Sequence, residues 1–584
     1  MKIILLVALF FGSYQTTIAQ AVELEIWEIQ GTDNSSPFEN TLVSTSENIV
    51  TAIGPDRFYI QTPFIRSDQE VLTSDGLLVY TGTSPTIGIG DLVNVTGVIQ
   101  EFDGITEFAS TDLFYEVVAT NQPLPEPILL DENFPSQIPA SIADLEQVEG
   151  MRVQIIDAIT TSPTGNQGTY ITTQGSRSFR ESGIPFPGES SLPVWDGNPE
   201  LFLFETATLS ASNAPLFSSK SLVNAIGIIN QTGYRYTFHA TSYELSGGPV
   251  LEAVRDLETL EVSIGSLNLL LFEDSDADFD IRVEKAARYI VELMKAPDIL
   301  ALQEIENVQV LQTLADKIKE LFPELDYTPY SPSTSSSNFS INLGYLVQPT
   351  VVKVSISSLG ANEFLSIGGS LHSRPPLLLE GFFSTDPLTP INVLNVHIRS
   401  LNGITGSNST FVRTKRHEQA ISIAQMIQAK RNDNLVILGD FNAFQFSDGY
   451  VDVINQITGN NSLGAEYVVI PINVPPILHH NLNLPEQEQY SYIYNGNAQM
   501  IDHCLSTELK QMTVKGMAYA RGNSDNPATY LNDPDNIYRV SDHDGLVLFL
   551  QLQDSITDYE EATFNGNFFY PNPFLQDYKI YLEL

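Results

Sequence analysis

The stretch that decides the fold reads Leu-Val-Ile-Leu-Gly-Asp-Phe-Asn and occupies residues 435–442. Its four leading apolar residues predict a short, buried strand. Residues 410–430, directly before it, have the apolar spacing of a long helix. A helix that leads into a buried strand is typical of a layered α/β fold, in which polar side chains at strand ends build the site. Asp440 and Asn442 are therefore the first candidate site residues.

Strands and helices alternate on both sides of this stretch, from about residue 258 to residue 551. We predict further strands at residues 260–268, 298–303 and 391–397, and helices at residues 281–295 and 307–322. The chain has 584 residues, which is too many for a single core. The pattern predicts an α/β domain that occupies about half of this length.

Other apolar strands of this segment also carry, at one end, a side chain that can bind a metal or move a proton. These side chains are Asn268, Glu304, His397, Asp502 and the pair Asp542-His543. A single carboxylate after a strand is more often a turn former than a ligand. Six strand ends with such side chains favour one site that is assembled from distant parts of the chain.

Five short motifs in this segment, taken in order, resemble the endonuclease/exonuclease/phosphatase superfamily with its deoxyribonuclease I-like fold. The motifs are Leu302-Gln303-Glu304, Asn395-Val396-His397, Gly439-Asp440-Phe441-Asn442, Ile501-Asp502 and Ser541-Asp542-His543. The resemblance covers residues 258–551 and implies a four-layer α/β sandwich with the site at one edge of two packed sheets. It is closest to secreted bacterial nucleases that have an N-terminal β-domain.

The resemblance implies a metal-dependent hydrolysis of phosphodiesters. Asn268, Glu304 and Asp542 would hold a divalent metal, and their hard oxygen ligands suit Mg²⁺ best, with Mn²⁺ or Ca²⁺ as alternatives. Asp440 would orient or deprotonate the attacking water. Asn442 would steady that water or the phosphate.

The resemblance also implies roles for the remaining candidates. His543 would pair with Asp502 and act as a base or as a stabiliser of the phosphate. His397 would contact the scissile phosphate or act as an acid, and Arg374 would bind phosphate. Related nucleases have a tyrosine close to the position of Val347-Gln348-Pro349, in a strand predicted at residues 343–352. Tyr345, two residues earlier, is the candidate that takes its place.

The first half of the chain is predicted to be all-β. Short alternating strands separated by turn residues indicate two modules, at residues 22–121 and 128–248, with a Pro-rich boundary at residues 122–127. Three strings recur in the same order, so we interpret the second module as a repeat of the first. The pairs are residues 49–53 with 155–159, 59–62 with 170–173, and 92–99 with 222–229. The first module resembles OB-type barrels, which can bind single strands by stacking on aromatic side chains.

Both ends of the sequence carry features of export. Lys2 followed by the apolar residues 3–11 and small residues near 17–20 predict a signal peptide at residues 1–20 and a secreted protein. Tyr-Pro-Asn-Pro-Phe at residues 570–574, in a C-terminal tail from residue 554 to 584, resembles the start of a type IX sorting domain. Cys504 is the one cysteine, so the chain forms no disulfide within itself.

The charge balance limits how such a protein could bind nucleic acid. There are 71 Asp and Glu against 28 Lys and Arg, a formal net charge of -43. Basic side chains that neutralise phosphates normally supply most of the non-specific affinity. Metal ions and a few local Lys and Arg side chains would have to do this here.

The sequence therefore predicts a secreted, metal-dependent nuclease, in particular an endonuclease, that acts on DNA or RNA as a monomer without membrane contact. Two alternatives stay open. One is another phosphodiesterase or phosphatase of the superfamily, such as a sphingomyelinase-like enzyme. The other is a polymer-binding protein whose α/β domain has lost its activity.

Overall fold

The computed structural model describes residues 21–138, 144–165, 167–209, 216–218, 221–232, 235–332, 341–462 and 464–553. The predicted signal peptide and C-terminal tail lie outside these residues. Among the helices in this part of the chain, none is both long enough and apolar enough to cross a membrane.

The first unit is a barrel that is closed by one pairing between distant strands. Strands β2, β3, β4, β6 and β5 follow one another around the barrel, and β5 pairs back with β2. The pairing of β4 with β6 is parallel, and the other pairings in the barrel are antiparallel. The elements are β1 (Val22–Glu23), α1 (Ile26–Gln30), β2 (Leu42–Ile53), β3 (Arg57–Gln61), β4 (Gly76–Tyr80), β5 (Leu92–Phe102), β6 (Ile105–Phe108) and β7 (Phe114–Ala119).

The second unit has the same strand order. Its elements are β8 (Ile128–Leu130), β9 (Arg152–Thr160), β10 (Thr169–Thr172), β11 (Ile184–Pro185), β12 (Val194–Trp195), β13 (Phe202–Glu205), β14 (Leu222–Thr232) and β15 (Arg235–Ser246). Strands β9, β10, β13, β15 and β14 close a barrel, in which β13 and β15 are the parallel pair. The recurring strings lie on corresponding strands, β2 with β9, β3 with β10 and β5 with β14. The repeat stays a prediction, and the equal topology supports it.

The α/β unit contains two six-stranded sheets. Its strands are β16 (Glu261–Phe272), β17 (Ile299–Ile305), β18 (Thr328–Tyr330), β19 (Asn342–Val347), β20 (Val351–Ser358), β21 (Leu377–Phe383), β22 (Pro390–His397), β23 (Leu435–Asp440), β24 (Leu478–His479), β25 (Tyr492–Tyr494), β26 (Asn497–Gln499), β27 (Asp502–Ser506), β28 (Met512–Ala520) and β29 (Gly545–Leu552). Sheet I has the order β18-β19-β17-β16-β29-β28, and sheet II has the order β20-β21-β22-β23-β27-β24. Strands β25 and β26 form a separate hairpin.

Within the described residues of the α/β unit, four helices cover the two sheets. They are α2 (Phe279–Arg288), which continues as a π-helical turn at Tyr289–Leu293, α3 (Val308–Leu321), α4 (Ser409–Ala429) and α5 (Val453–Thr458). Helices α2 and α3 pack on the outer face of sheet I, and α4 and α5 pack on the outer face of sheet II. The inner faces of the sheets pack against each other. The unit is thus the four-layer α/β sandwich that the resemblance implied.

The apolar runs explain this layering. Successive side chains of a strand point to opposite faces. In β23, Val436 and Leu438 enter the core between the sheets, while Leu435 and Ile437 pack against the helices. A strand that is buried on both faces needs a continuous apolar run, and this is the run from which the strand was predicted.

One strand prediction was wrong. Residues 343–352 form two strands in different sheets, because β19 ends at Val347 in sheet I and β20 begins at Val351 in sheet II. Pro349 in the connection has no backbone N–H for a sheet ladder. The side chain of Gln348 donates to Ala296 O at 2.6 Å, which fixes the crossing between the sheets.

The second barrel lies against the α/β unit. Phe179 forms a backbone bridge with Ala498 of β26, and the Arg180 amide donates to Ala498 O at 3.0 Å. A buried ion pair joins Arg177 to Asp525 at 3.0 Å. These contacts place the connection between β10 and β13 beside the strand ends of the two sheets.

Candidate active site

The candidate residues meet at one edge of the two sheets. The parallel pair β22 and β23 ends at His397 and Asp440, which are register partners. Asp440 also faces Asp502, at the start of the antiparallel strand β27. On sheet I, Asn268 and Glu304 lie towards the ends of β16 and β17, and His543 precedes β29. Ends of parallel strands and starts of antiparallel ones share an edge, and for this reason residues distant in sequence meet here.

Asp440 is the most connected carboxylate of the site. Its Oδ1 accepts the Asn442 amide at 2.7 Å, and its Oδ2 accepts the side-chain amides of Asn442 at 3.0 Å and Asn268 at 3.1 Å. Burial raises the pKa of Asp440 to about 7, although the positive charge of His543 opposes the rise. A carboxylate with a pKa near neutrality is suited to exchanging a proton with a reacting water.

His543 and Asp502 form a buried ion pair. Nδ1 of His543 lies 2.8 Å from Oδ2 of Asp502, and Ser491 Oγ donates to the same oxygen at 2.6 Å. Burial alone would lower the pKa of His543, but the charge and hydrogen bond of Asp502 outweigh it and hold the pKa well above its usual value. The imidazole is therefore held as a cation in contact with the acidic edge of the site.

His397, unlike the cationic His543, is held in its neutral form. Its Nε2 lies 3.4 Å from Asp440 Oδ2 and 3.7 Å from Glu304 Oε1, so it links the two carboxylates. Burial, with the nearby charges of Arg374 and His543, lowers the pKa of His397 well below its usual value. Its Nδ1 is buried without a hydrogen-bond partner. A neutral imidazole can donate a hydrogen bond here but is a poor proton-donating acid.

Glu304 is aimed by a bulge in its strand. The register of β17 with both of its neighbours shifts at this residue, and its φ is +57°. A non-glycine residue in the left-handed region is uncommon, and such strain is concentrated at functional sites. Oε2 accepts the Leu271 amide at 3.0 Å. The bulge thus turns the carboxylate towards His397 and the cavity.

The residues predicted to hold a metal are brought to this edge. Glu304 and Asp542 line the same cavity, and Asp542 Oδ1 is 3.9 Å from His543 Nε2. Asn268 is buried, and its Oδ1 already accepts the Leu270 amide at 2.9 Å, which leaves one lone pair. Carboxylate and amide oxygens are the donors that Mg²⁺, Mn²⁺ and Ca²⁺ prefer, so the residues fit such an ion.

Ligand-type atoms of Asp440, Asp502 and His543 also lie within 4.8 Å of one another. This trio is better explained as a carboxylate facing an ion pair than as a metal centre. The cationic ring of His543 has no lone pair to offer, since both of its nitrogens are donors.

Arg374 lies at the cavity, whereas Tyr345 lies in the core between the sheets. Arg374 lines the cavity, its Nη2 donates to Ile398 O at 3.4 Å, and its buried Nε has no partner. Tyr345 is fully buried in the core between the sheets, where its hydroxyl lies 2.8 Å from the carbonyls of Leu377 and Val393. The assignment of Tyr345 to the phosphate is therefore corrected. On β19 its side chain points into the inter-sheet layer rather than along the edge.

Sequence reasoning missed several residues of the site. Ser491 supports Asp502, and the ring of Tyr492 lies over His543 with centroids 4.9 Å apart. The run Tyr490-Ser491-Tyr492-Ile493-Tyr494 was a visible aromatic cluster, but nothing in its spacing placed it beside a histidine 50 residues away. Lys415 was not missed: the basic cluster Arg413, Lys415 and Arg416 predicted either phosphate contact or a solvated helix face, and Lys415 is buried and donates to Ser373 Oγ at 2.8 Å.

Two motif residues have a structural task. Asn395 donates from its side chain to the carbonyls of Leu302 and Gly344, each at 3.0 Å, and accepts from Gln303 at 2.8 Å. These bonds join sheet I to sheet II directly behind the site. Gln303 and Asn395 therefore fix the spacing between the carboxylates of the two sheets.

A cavity of about 1360 Å³ opens in front of the candidate residues. Its walls come from both halves of the chain, since residues of the second barrel face residues of the α/β unit across it. Those from the α/β unit include Glu304, Arg374, His397, Asp440, Asn442, Asp542 and His543. Those from the second barrel include Tyr170, Arg180, Trp195, Asn198, Arg235 and Tyr236.

Residues 265–543 match the model of the Endonuclease/Exonuclease/phosphatase family. The match takes in most of the two sheets and every catalytic candidate described above. The α/β unit is therefore an endonuclease/exonuclease/phosphatase domain, and the assignment concerns this unit, which is somewhat less than half of the chain. No curated protein matches the chain.

Solved structures with similar folds each align with about half of this chain. TDP2 from D. rerio, complexed with a single-strand DNA product, is 15% identical over 50% of this chain and 98% of its own, with a TM-score of 0.34. An endonuclease/exonuclease/phosphatase protein from Bacteroides vulgatus is 13% identical over 50% and 99%, with a TM-score of 0.34. The human Nocturnin catalytic domain with a bound sulfate anion is 14% identical over 51% and 97%, with a TM-score of 0.34. Structural similarity at this level does not identify a substrate, so the substrate of this chain has to be inferred from its own residues.

Proposed function

We propose that this protein is a metal-dependent phosphodiesterase that hydrolyses nucleic acid, DNA first and RNA as the alternative. The observation that carries the proposal is the arrangement of Asp440, neutral His397 and the Asp502–His543 ion pair around one cavity, with Arg374 facing it. Family membership of the α/β unit supplies the reaction class. The nucleic-acid substrate and endonuclease action are the finer part of the proposal.

The chain's own groups divide the work of hydrolysis. Asp440, with its raised pKa, orients the attacking water and takes its proton, while Asn442 holds the Asp440 carboxylate through two hydrogen bonds. His543 as a cation and Arg374 neutralise charge on the phosphoryl oxygens. His397 is a hydrogen-bond donor to the phosphate, because its lowered pKa disfavours the role of acid.

Glu304, Asp542 and Asn268 are the residues that would hold a divalent cation, Mg²⁺ in the first place. When bound, such an ion supplies Lewis-acid charge neutralisation at the phosphate. The carboxylates of Glu304, Asp440 and Asp542 line the same cavity, so charged oxygen ligands from both sheets face the space that a cation would enter.

The test is incubation of the purified protein with supercoiled plasmid and with linear DNA and RNA, with and without EDTA. We expect nicked and linearised circles with Mg²⁺ and none with EDTA. Asp440→Asn should lower the rate at least about 1000-fold, since it removes the base. Asp316→Asn, an exposed aspartate of α3, is the matched control and should keep the full rate. Retained cleavage in Asp440→Asn would contradict the mechanism.

The same purified protein also distinguishes the nuclease from the two alternative functions. A sphingomyelinase-like enzyme would release phosphocholine from sphingomyelin vesicles and leave plasmid intact. A binding protein without activity would retain labelled DNA in a gel-shift assay and cleave neither substrate.

Three further properties are proposals of the same kind. We propose that the protein is exported, on the basis of Lys2 and the apolar residues 3–11, and N-terminal sequencing of the released protein should begin near residue 21. We propose that both barrels are OB-like, which their strand order supports and a crystal structure would check. We propose a monomer, which light scattering would measure.

A further inference from the structure

The cavity at the catalytic groups continues into a second one. A neighbouring cavity of about 440 Å³ shares Tyr170, Arg235, Tyr492, Asn495 and Asp542 with the large one. Tyr170 and Arg235 belong to the second barrel, and the other three belong to the α/β unit. The two cavities therefore form one groove, which runs past Asp542 between two parts of the chain.

The groove collects basic side chains that form no ion pair with a carboxylate of the described residues. They are Arg180, Arg235, Arg374, Arg399, Lys415 and Arg539. None of the six forms an ion pair with a described carboxylate within 4.0 Å. In a chain with 71 acidic and 28 basic residues, cations that stay unpaired side by side favour an anionic ligand.

Arg180 is the clearest of these groups. Its side chain is only 7% exposed and lies between the rings of Trp195 and Phe444, 4.0 Å and 4.7 Å from their centroids. Nη2 donates to Gly183 O at 2.6 Å, while Nη1 is buried without a partner. An unsatisfied buried guanidinium nitrogen is costly. An anion that enters the groove would satisfy it.

Aromatic rings interleave with the cations. Tyr494 on the β25–β26 hairpin is 56% exposed, and Tyr492 and Tyr170 are half-buried on facing walls. The guanidinium of Arg235 lies 5.6 Å from the centroid of the Tyr170 ring. Alternating rings and cations along a groove match the alternating bases and phosphates of a nucleic-acid strand.

We propose that the second barrel forms the distal wall of the substrate groove and binds an extended single strand of nucleic acid, with Tyr170 stacking on a base and Arg235 and Arg180 on phosphates away from the scissile one. This rests on the proposed function. A single strand is specified because ring faces contact base faces, and in a duplex those faces are stacked on neighbouring pairs. The groove also exceeds the 300–1,000 Å³ that small-molecule sites occupy, which suits a ligand of several nucleotides.

The test is the dependence of KM on substrate length. For oligothymidylates of two to eight residues, or oligouridylates if RNA is the substrate, KM of the wild type should fall at least about tenfold with length, since one stacked base contributes about that much. Tyr170→Ala/Arg235→Ala should abolish this gain. Both side chains are half-buried, so the barrel should still fold.

The matched control is Arg57→Ala/Tyr80→Ala. This pair has the same 5.6 Å separation but lies in the first barrel, away from the groove. The control should keep the gain with length. A groove variant that also keeps it, or a wild type that prefers duplex to single strand, would overturn the inference.

A binding measurement separates the failure of the inference from the failure of the proposed function. Fluorescence anisotropy of labelled dodecathymidylate in EDTA needs no catalysis. Binding that Tyr170→Ala/Arg235→Ala weakens about tenfold, without cleavage by the wild type, would refute the nuclease and keep the groove. Cleavage with equal binding by both proteins would refute the groove and keep the nuclease.

Discussion

The hydrogen bond from Ser491 to Asp502 supports the cation at His543. Ser491 Oγ and His543 Nδ1 both lie on Oδ2 of Asp502, and the hydroxyl of Tyr519 donates to Asp502 O at 2.6 Å. Ser491 thus holds the Asp502 carboxylate and Tyr519 holds its backbone, so the imidazole is fixed in orientation as well as in charge. Ser491 is a positioning residue, because it acts through Asp502.

Ser491→Ala should lower kcat/KM about 10- to 100-fold, as is typical for groups that orient site residues. The free energy of unfolding should fall by about 1–3 kcal/mol, because the buried hydroxyl also accepts the amides of Asp502 at 3.2 Å and Ile501 at 3.4 Å. Steady-state kinetics and thermal melting measure the two effects. Ser491→Thr, which keeps the hydroxyl, should recover much of the rate.

The control is Ser355→Ala, which removes a bond of the same 2.6 Å length between Ser355 Oγ and Glu380 in sheet II, away from the site. Equal rate losses in the Ser491 and Ser355 variants would show that Ser491 has only a structural role.

At the level of elements, Gly439 allows β22 and β23 to approach each other. Its φ is +140°, and a Cβ at this position would lie 2.1 Å from Val396 O on the neighbouring strand. The two strands end at His397 and Asp440, so any separation here displaces both side chains.

Gly439→Ala should therefore lower the free energy of unfolding by about 3 kcal/mol or more and abolish hydrolysis, because the backbone contact cannot relax without moving the strand. Gly516→Ala is a close control. Gly516 has a φ of +144° in β28, and nothing lies within 4 Å of its added Cβ. The Gly516→Ala variant therefore measures only the strain of placing a Cβ on a backbone with a positive φ. Similar melting temperatures for the two variants would contradict the role of the close approach.

Local patterns predicted the elements well. The strand predicted at residues 391–397 is β22 (Pro390–His397), and the helix predicted at 410–430 is α4 (Ser409–Ala429). Strong apolar periodicity sets these bounds. Strand pairing is not local, so the sequence did not show that Tyr345 lies in the core or that residues 348–350 cross between sheets.

The proximity of the candidate residues could be predicted because they follow strands in recognisable motifs, and the structure brings Glu304, His397, Asp440, Asp502 and His543 together. Ser491 and Tyr492 were not predicted, since their contacts with Asp502 and His543 depend on how a hairpin packs. The groove wall could not be predicted either. It depends on the contact between the second barrel and the α/β unit.

At the scale of the whole molecule, buried neutral histidines make the fold sensitive to acid. Burial lowers the pKa of His480 from 6.5 to about 4, and the same cause lowers the pKa of His372 and His503 to about 4. Below pH 6.5, a histidine whose pKa is lowered by folding binds fewer protons in the folded state than in the unfolded state. The stability that these three neutral histidines contribute is therefore complete above about pH 6.5 and decreases as the pH falls towards 4.

His480→Gln should reduce this acid sensitivity. The wild type should lose about 2 kcal/mol at pH 5 through His480 alone, by linkage from its pKa values in the folded and unfolded states. A glutamine amide can replace the hydrogen bond between His480 Nε2 and Ser506 Oγ, which is 2.8 Å long. Thermal melting at pH 7.5 and pH 5 measures the difference. An equal drop in both proteins would show that His480 does not contribute.

The bridge between Phe179 and Ala498 joins the second barrel to the α/β unit, and the candidate site residues all belong to the α/β unit. Under the proposed function, substitutions in the second barrel would change which polymer binds and leave the candidate catalytic residues of the α/β unit unchanged. The reaction and the substrate selectivity would then be encoded by different segments of the same gene.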